Sequence, residues 1–305
     1  MKFSNAILFT FILLASCGLQ NRMSKTQETI LLAKEKVGDE KNIISSAQQK
    51  VTEKLDNAET DPIIKEDVDQ VLAKLNSNLD AIQKRISILE EFIKNKSNFR
   101  ESTYIKDVAP LVSKLDSFNL ISQKRESIYQ LVTESVNTKA FNLFKMGAFF
   151  EPGVYNIPLS AQPQIAAMFS PALDSIIQFA NKYNTLPRVA RLVFVGYADE
   201  SPILPGGNLF NQLSKFSSQP EPSREELNRV LSQLRANEMM RQMKNLVTDK
   251  ASNFKSANQM RFNFFNYGRG ELLPSSKITD YKTDDERRRI VMFYWSVLPD
   301  LGYLN

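Results

Sequence analysis

Apolar residues in the first half of the chain recur at helical spacing, and those in the second half alternate between helical and strand spacing. Ile30, Val37, Ile44, Val51 and Ala58 fall seven residues apart, and their companions Ala33, Glu40, Ala47 and Lys54 leave the seam narrow. Ser24, with Gln27 three residues on, is the expected N-cap of this helix. Asp61-Pro62 reads as N-cap and first position of a second helix, along which Val68, Leu75, Leu79, Ile82, Ile86, Leu89 and Ile93 keep a three-four spacing. The polar run from Asn95 to Thr103 predicts a turn. A third helical stretch follows with Val108, Val112, Leu115, Phe118, Ile128, Leu131 and Val132, with Pro110 early in it. Gly38, Pro62 and Pro110 are the only glycine and prolines between Leu19 and Met146, so these helices are long. Short turns make them antiparallel neighbours in a bundle or coiled coil.

From residue 141 the rhythm changes. Gly147 to Tyr155 reads as a strand entering a turn, and residues 161–183 as a helix through Ile165, Phe169, Leu173, Ile176 and Ile177. Arg191-Leu192-Val193-Phe194-Val195-Gly196 reads as a buried strand. A second helix carries Leu227 to Leu246. Met260, Phe262 and Phe264 alternate as a strand, and Ile290 to Val297 forms the last one. The fold class expected is α+β: a long-helix bundle over residues 18–140, then a mixed-sheet, two-layer α/β sandwich of order βαβαββ over residues 141–305. Asp199 would lie at a strand's carboxyl end, the usual place for ligands in open α/β sheets.

The 305 residues carry a net charge of +5, too small and too dispersed a surplus to suggest a nucleic-acid partner. The chain has no histidine, which removes the commonest general base and the Ser-His and Cys-His nucleophile systems. Hydrolysis would need paired carboxylates, and no convincing pair stands at a strand end. No catalytic residue, metal site or cofactor is expected. The one cysteine, Cys17, follows the apolar run Ala6–Ala15. That run is too short for an ordinary transmembrane helix and fits the core of a secretory signal. Leu14-Ala15-Ser16-Cys17 resembles the bacterial lipobox, so residues 1–17 are expected to be a lipoprotein signal peptide with Cys17 as the lipidated residue. Gly18 in the next position implies the outer membrane, and the protein is expected to face the periplasm rather than the outside.

Four motifs in chain order resemble the OmpA-like peptidoglycan-binding domain of peptidoglycan-associated lipoproteins. Gly196-Tyr197-Ala198-Asp199 resembles its Gly-aromatic-Thr-Asp. Asn228 to Ala236 resembles Asn-x-x-Leu-Ser-x-x-Arg-Ala. Gly268 to Pro274 resembles Gly-x-Gly-Glu-x-x-Pro, and Arg288-Arg289-Ile290 resembles the Arg-Arg-Val that opens the last strand. The resemblance implies a non-catalytic tether that holds the stem peptide of peptidoglycan, often by its diaminopimelate end. It implies binding residues Asp199, Asn228, Arg235 and Arg288, with Asp199 accepting from the ligand's ammonium and Arg235 gripping its carboxylate as a bidentate pair. Glu271 is expected to hold a loop. The alternative is that Asp199 and Arg235 are a plain ion pair closing a strand end onto a helix.

The sequence departs from the family at Ala198, which lacks the usual hydroxyl, and in spacing. Asn228 follows Asp199 by 29 positions, where the family places its Asn roughly eight after the Asp. The intervening insertion, at about 200–225, is rich in Pro and Gly, with one helical turn expected at Leu209–Phe216. It caps, reshapes or blocks the cleft. The expected partners are peptidoglycan, the outer membrane through the lipid, and a protein bound by the helical bundle. The alternative is an envelope assembly protein whose OmpA-like domain has lost wall binding and whose bundle recruits the partner.

Overall fold

The computed structural model describes residues 4–57, 60–138, 141–145, 153–274 and 278–304. The chain is α+β and divides into two compact units. One comprises residues 1–48 and 70–130, the other residues 49–69 and 131–305. The division falls inside helices and differs from the single break at 140/141 expected from composition.

The first unit is a bundle built from α1 (Ser4–Asp56), α2 (Pro62–Ile93) and a third, broken line of helix. Ser24 lies inside α1 and caps nothing, because the helix begins well before it and runs on through Gly18, with no proline between Ser4 and that point. Asn95 caps a 3-10 turn by accepting from the backbone N–H of Ser97 at 3.0 Å. After it come α3 (Glu101–Thr103), a π-helical turn at Tyr104–Val108, α4 (Ala109–Leu120) with Pro110 in its first turn, and α5 (Ser122–Asn137). Lys41 pairs with Asp80 at 2.8 Å and Lys34 with Glu90, so α1 and α2 run antiparallel. Thr29 donates to Asp116 at 2.9 Å and Arg125 to Glu40 at 2.7 Å, so the third line runs back parallel to α1. The predicted seams are buried, among them Ile30, Val37, Ile44, Leu79, Ile86, Leu89, Val112 and Leu115. Glu40, a weak position in the heptad pattern, is buried too. Its carboxylate is held by Arg125, whose guanidinium also lies 3.6 Å from the centre of the Phe118 ring.

The second unit holds a four-stranded sheet of order β1-β4-β2-β3, formed by β1 (Phe141–Lys145), β2 (Arg188–Gly196), β3 (Met260–Gly268) and β4 (Ile290–Pro299). β2 pairs parallel with β3 and antiparallel with β4, and β1 pairs antiparallel with β4. Connecting them are α6 (Gln162–Lys182), α7 (Asn208–Ser214) and α8 (Arg224–Asp249). The strand predicted over 147–155 lies outside the described residues as far as 152, and Gly153 to Tyr155 are not strand. The other predicted helices and strands of this half are present, with ends shifted by a few residues. Ser223 caps α8 by accepting from the N–H of Glu226 at 3.3 Å, and Glu225 and Glu226 add negative charge to its first turn.

Side chains alternate across β2. Leu192, Phe194 and Gly196 face α6 and α8. On this side Phe169 meets Phe194 and Phe293 edge-on at 6.2 and 6.1 Å, and Phe179 meets Trp295 at 6.1 Å. Arg191, Val193 and Val195 face the other way, and that face is covered as well. Arg191 pairs with Asp67 of α2 at 2.9 Å, and Tyr267 donates its hydroxyl to Asp61, one residue ahead of α2. All of β4 and nearly all of β2 are therefore buried. The sheet carries a third layer, where the sequence predicted two. An arginine inside an apolar strand was the available signal, because a charge buried in a sheet requires a partner on the facing element. Among the described residues no helix is long and apolar enough to cross a membrane.

Candidate functional site

The site lies at the carboxyl end of β2, where the chain continues extended beside two loops. The N–H of Tyr197 donates to the Ile290 carbonyl at 2.9 Å, Ala198 to Gly270 at 2.8 Å and Glu200 to Thr283 at 2.8 Å. In the other direction Arg269 donates to the Gly196 carbonyl at 2.8 Å. Helix α8 lies directly against this edge. Ser232, fully buried, accepts from the N–H of Gly270 at 2.9 Å and donates to the Arg229 carbonyl at 2.8 Å. Gln233 accepts from the N–H of Gly268 at 2.8 Å. Gly270 takes φ +55° with its Cα facing the Arg229 backbone, a place where a side chain would be strained and crowded. The serine of the Asn228–Ala236 motif and the glycines of the Gly268–Pro274 motif are thus two halves of one clamp.

This frame brings all four binding residues expected from sequence to one end of the sheet, each nearly withdrawn from solvent. Asn228 and Arg235 are 1% exposed, Arg288 2% and Asp199 6%. Asn228 donates to the Glu271 carboxylate at 2.7 Å and to the Ser201 carbonyl at 3.4 Å. Glu271 also receives Arg224 at 2.9 Å, so it ties the loop to the start of α8. Arg235 donates its Nε to the Val154 carbonyl at 3.0 Å. Burial pushes its guanidinium down to about 10; Asp199 nearby opposes the shift and Arg289 adds to it. It remains a cation at neutral pH.

Asp199 has a second cation beside it as well as Arg235. The Asp199 carboxylate is held by Arg289 at 2.8 Å and accepts from the N–H of Ser201 at 3.2 Å. Arg288 instead reaches the insertion: its Nη1 donates to Glu200 at 2.6 Å, and its Nη2 to the Glu271 carbonyl. Arg287 points to solvent and pairs with Asp280 and Asp285. Sequence reasoning named Arg289 only as a member of the Arg288-Arg289-Ile290 motif, with the arginine that faces the pocket left to register, and it missed Glu200. Three consecutive arginines need several carboxylates, and the adjacent acids Asp199 and Glu200 were the signal for where two of them find one.

The insertion is built, not loose. Gly206 takes φ +78° in a turn before α7, and Leu213 of α7 is fully buried against Leu227, Val230 and Leu231 of α8. Leu209 sits so close to Gly153 that a Cβ there would meet it at 2.8 Å. α7 therefore packs beside Val154, whose carbonyl holds Arg235. Cys17 falls within α1, and its side chain lies outside the described residues.

Compared with known protein families, with curated proteins and with solved structures, the chain matches none.

Proposed function

We propose that the chain is a non-catalytic, lipid-anchored tether that binds the stem peptide of peptidoglycan through an OmpA-like α/β domain and joins the outer membrane, from its periplasmic side, to the wall. One observation carries the reading: four residues from three separated motifs, Asp199, Asn228, Arg235 and Arg288, gather at one end of the sheet as a buried, charged cluster. A ligand end bearing an ammonium and a carboxylate matches that mixture of one carboxylate, one amide and several guanidiniums. The element order β-α-β-α-β-β, interrupted only by α7, is in keeping with the resemblance.

Sedimentation with purified peptidoglycan is the direct test. The wild-type protein is expected in the pellet, and Asp199→Ala and Arg235→Ala each to bind at least about tenfold more weakly, since each removes a charged group that the ligand's ammonium or carboxylate would meet. Circular dichroism of both variants separates lost binding from lost fold. Wild type and variants sedimenting alike would sink the proposal. A second reading, an envelope assembly protein that no longer binds wall and recruits a partner through its helical bundle, draws on the fact that these same groups already have partners within the chain. It would be upheld if no form sediments.

The anchor has its own test. Metabolic labelling with palmitate is expected to mark the wild-type protein and to leave a Cys17→Ser form unlabelled. Label on the serine form would remove Cys17 as the lipidated residue.

A further inference from the structure

The contact between Glu200 and Arg288 differs in kind from its neighbours. Asp199 and Arg289 are both largely buried, and Asn228 and Glu271 are bridged within the clamp. The Glu200 side chain is 36% exposed, whereas the Arg288 side chain it contacts is 3% exposed. A buried guanidinium thus meets solvent through one carboxylate at the mouth of the site. The Glu200 backbone is fixed by its N–H bond to the Thr283 carbonyl, so freeing Arg288 requires only rotation of the glutamate side chain and leaves the insertion in place. Arg288 is also incompletely satisfied: its buried Nε meets no acceptor among the described residues. A buried guanidinium whose Nη1 is held by one displaceable, partly exposed carboxylate is a receptor for a better-fitting carboxylate, because a charge-assisted contact can be exchanged for another of the same kind.

We propose that Glu200 is a built-in stand-in for a ligand carboxylate, and that a carboxylate-bearing ligand enters the site by exchanging with it on Arg288. This rests on the wall-binding reading and deepens it. The carboxylate grip moves from Arg235, whose Nε is committed to the Val154 carbonyl, to Arg288. The first residue of the insertion becomes an internal competitor that sets the threshold for binding.

A consequence is that removing one negative charge tightens binding of a ligand bearing that same charge. Glu200→Gln keeps the side chain's size and its ability to accept a hydrogen bond, but gives up the charge-assisted part of the contact. In sedimentation with purified peptidoglycan, it is expected to reach half-saturation at on the order of tenfold less wall material than wild type. Free diaminopimelate is expected to release it from the wall as it releases wild type. Glu221→Gln, an exposed acid elsewhere in the same insertion, serves as control and is expected to behave as wild type.

A wild type that stays in solution while Glu200→Gln sediments would support both the exchange and the wall-binding reading. Wild type and Glu200→Gln sedimenting with equal affinity, a weaker Glu200→Gln, or an equal gain in Glu221→Gln would overturn the exchange and leave wall binding standing. If neither wild type nor Glu200→Gln sediments, the wall-binding reading fails and takes the exchange with it.

Discussion

Replacing Gly196 by alanine is expected to destabilise the second unit by about 4 kcal/mol or more. A Cβ at this position would stand 2.0 Å from the Ser232 carbonyl oxygen and 2.8 Å from its carbonyl carbon. These are backbone atoms in the interior of α8, so no side-chain rotation relieves the clash. Moving the helix away would open its second close contact, at Gly268, where a Cβ would already meet the Arg229 oxygen and the Ser232 hydroxyl at 2.4 Å. The two glycines are register partners at the ends of β2 and β3, so α8 lies flat across both strand ends with no room for a methyl group on either.

Glycine-to-alanine replacement ordinarily stabilises by limiting the unfolded chain, and the sign here is reversed by sterics alone. Gly38 supplies the contrast. It is exposed inside α1 with nothing within 4 Å of its Cβ position, so Gly38→Ala is expected to stabilise by about 0.5 to 1 kcal/mol. Trp295 is the only tryptophan and is buried in β4, so its fluorescence reports on the second unit during a denaturant titration. A Gly196→Ala midpoint equal to that of wild type would show that the helix does not approach the sheet this closely. Because Asn228 and Arg235 flank Ser232 and Asp199 follows Gly196 by three residues, the same variant is expected to lose wall binding.

Signals that act along the chain were legible in the sequence. The seams of the bundle, the Asp61-Pro62 helix start, the Asn95 turn and the succession of strands and helices after residue 160 all follow from spacing and from Gly, Pro and capping residues close at hand. Partners set by tertiary register were not. Glu40 read as a flaw in a heptad, and Arg125, which makes it tolerable, comes 85 positions later. Asp199 was matched with Arg235 because both sit in motifs, but the register that brings Arg289 rather than Arg288 to it is fixed by where β4 begins. The third layer on the sheet was hidden for the same reason: Asp61 announces a helix start with one oxygen, and nothing local shows that the other is bound to a tyrosine 206 positions away.

That second bond gives Asp61 an expected effect of similar weight. Its Oδ1 accepts from the N–H of Ile63 at 2.9 Å and caps α2, while its Oδ2 receives the Tyr267 hydroxyl on the face of the sheet turned away from α8. Arg269 lies over the Tyr267 ring at 5.3 Å. Burial raises the Asp61 carboxyl above its ordinary value, although Tyr267, the Ile63 N–H and Arg269 all pull the other way. Asp67, which faces Arg191, is raised by burial as well.

A carboxyl whose folded value is raised contributes stability that is present below the unfolded value, near pH 4, and drains away as pH climbs through the folded one. Wild type is therefore expected to lose some stability between about pH 4 and neutrality through Asp61 and Asp67. Asparagine keeps an acceptor for both the cap and the tyrosine but does not titrate, so Asp61→Asn should flatten that slope and be no less stable than wild type at pH 7. Alanine loses the cap, worth about 1 kcal/mol, and leaves the Tyr267 hydroxyl buried without an acceptor, at about 1 to 3 kcal/mol. The alanine form is expected to be less stable than the asparagine form by about 2 to 4 kcal/mol in Trp295-monitored unfolding. Equal stabilities would mean that Asp61 does not fasten α2 to the sheet. An asparagine form that keeps the wild-type pH slope would place the titrating group elsewhere.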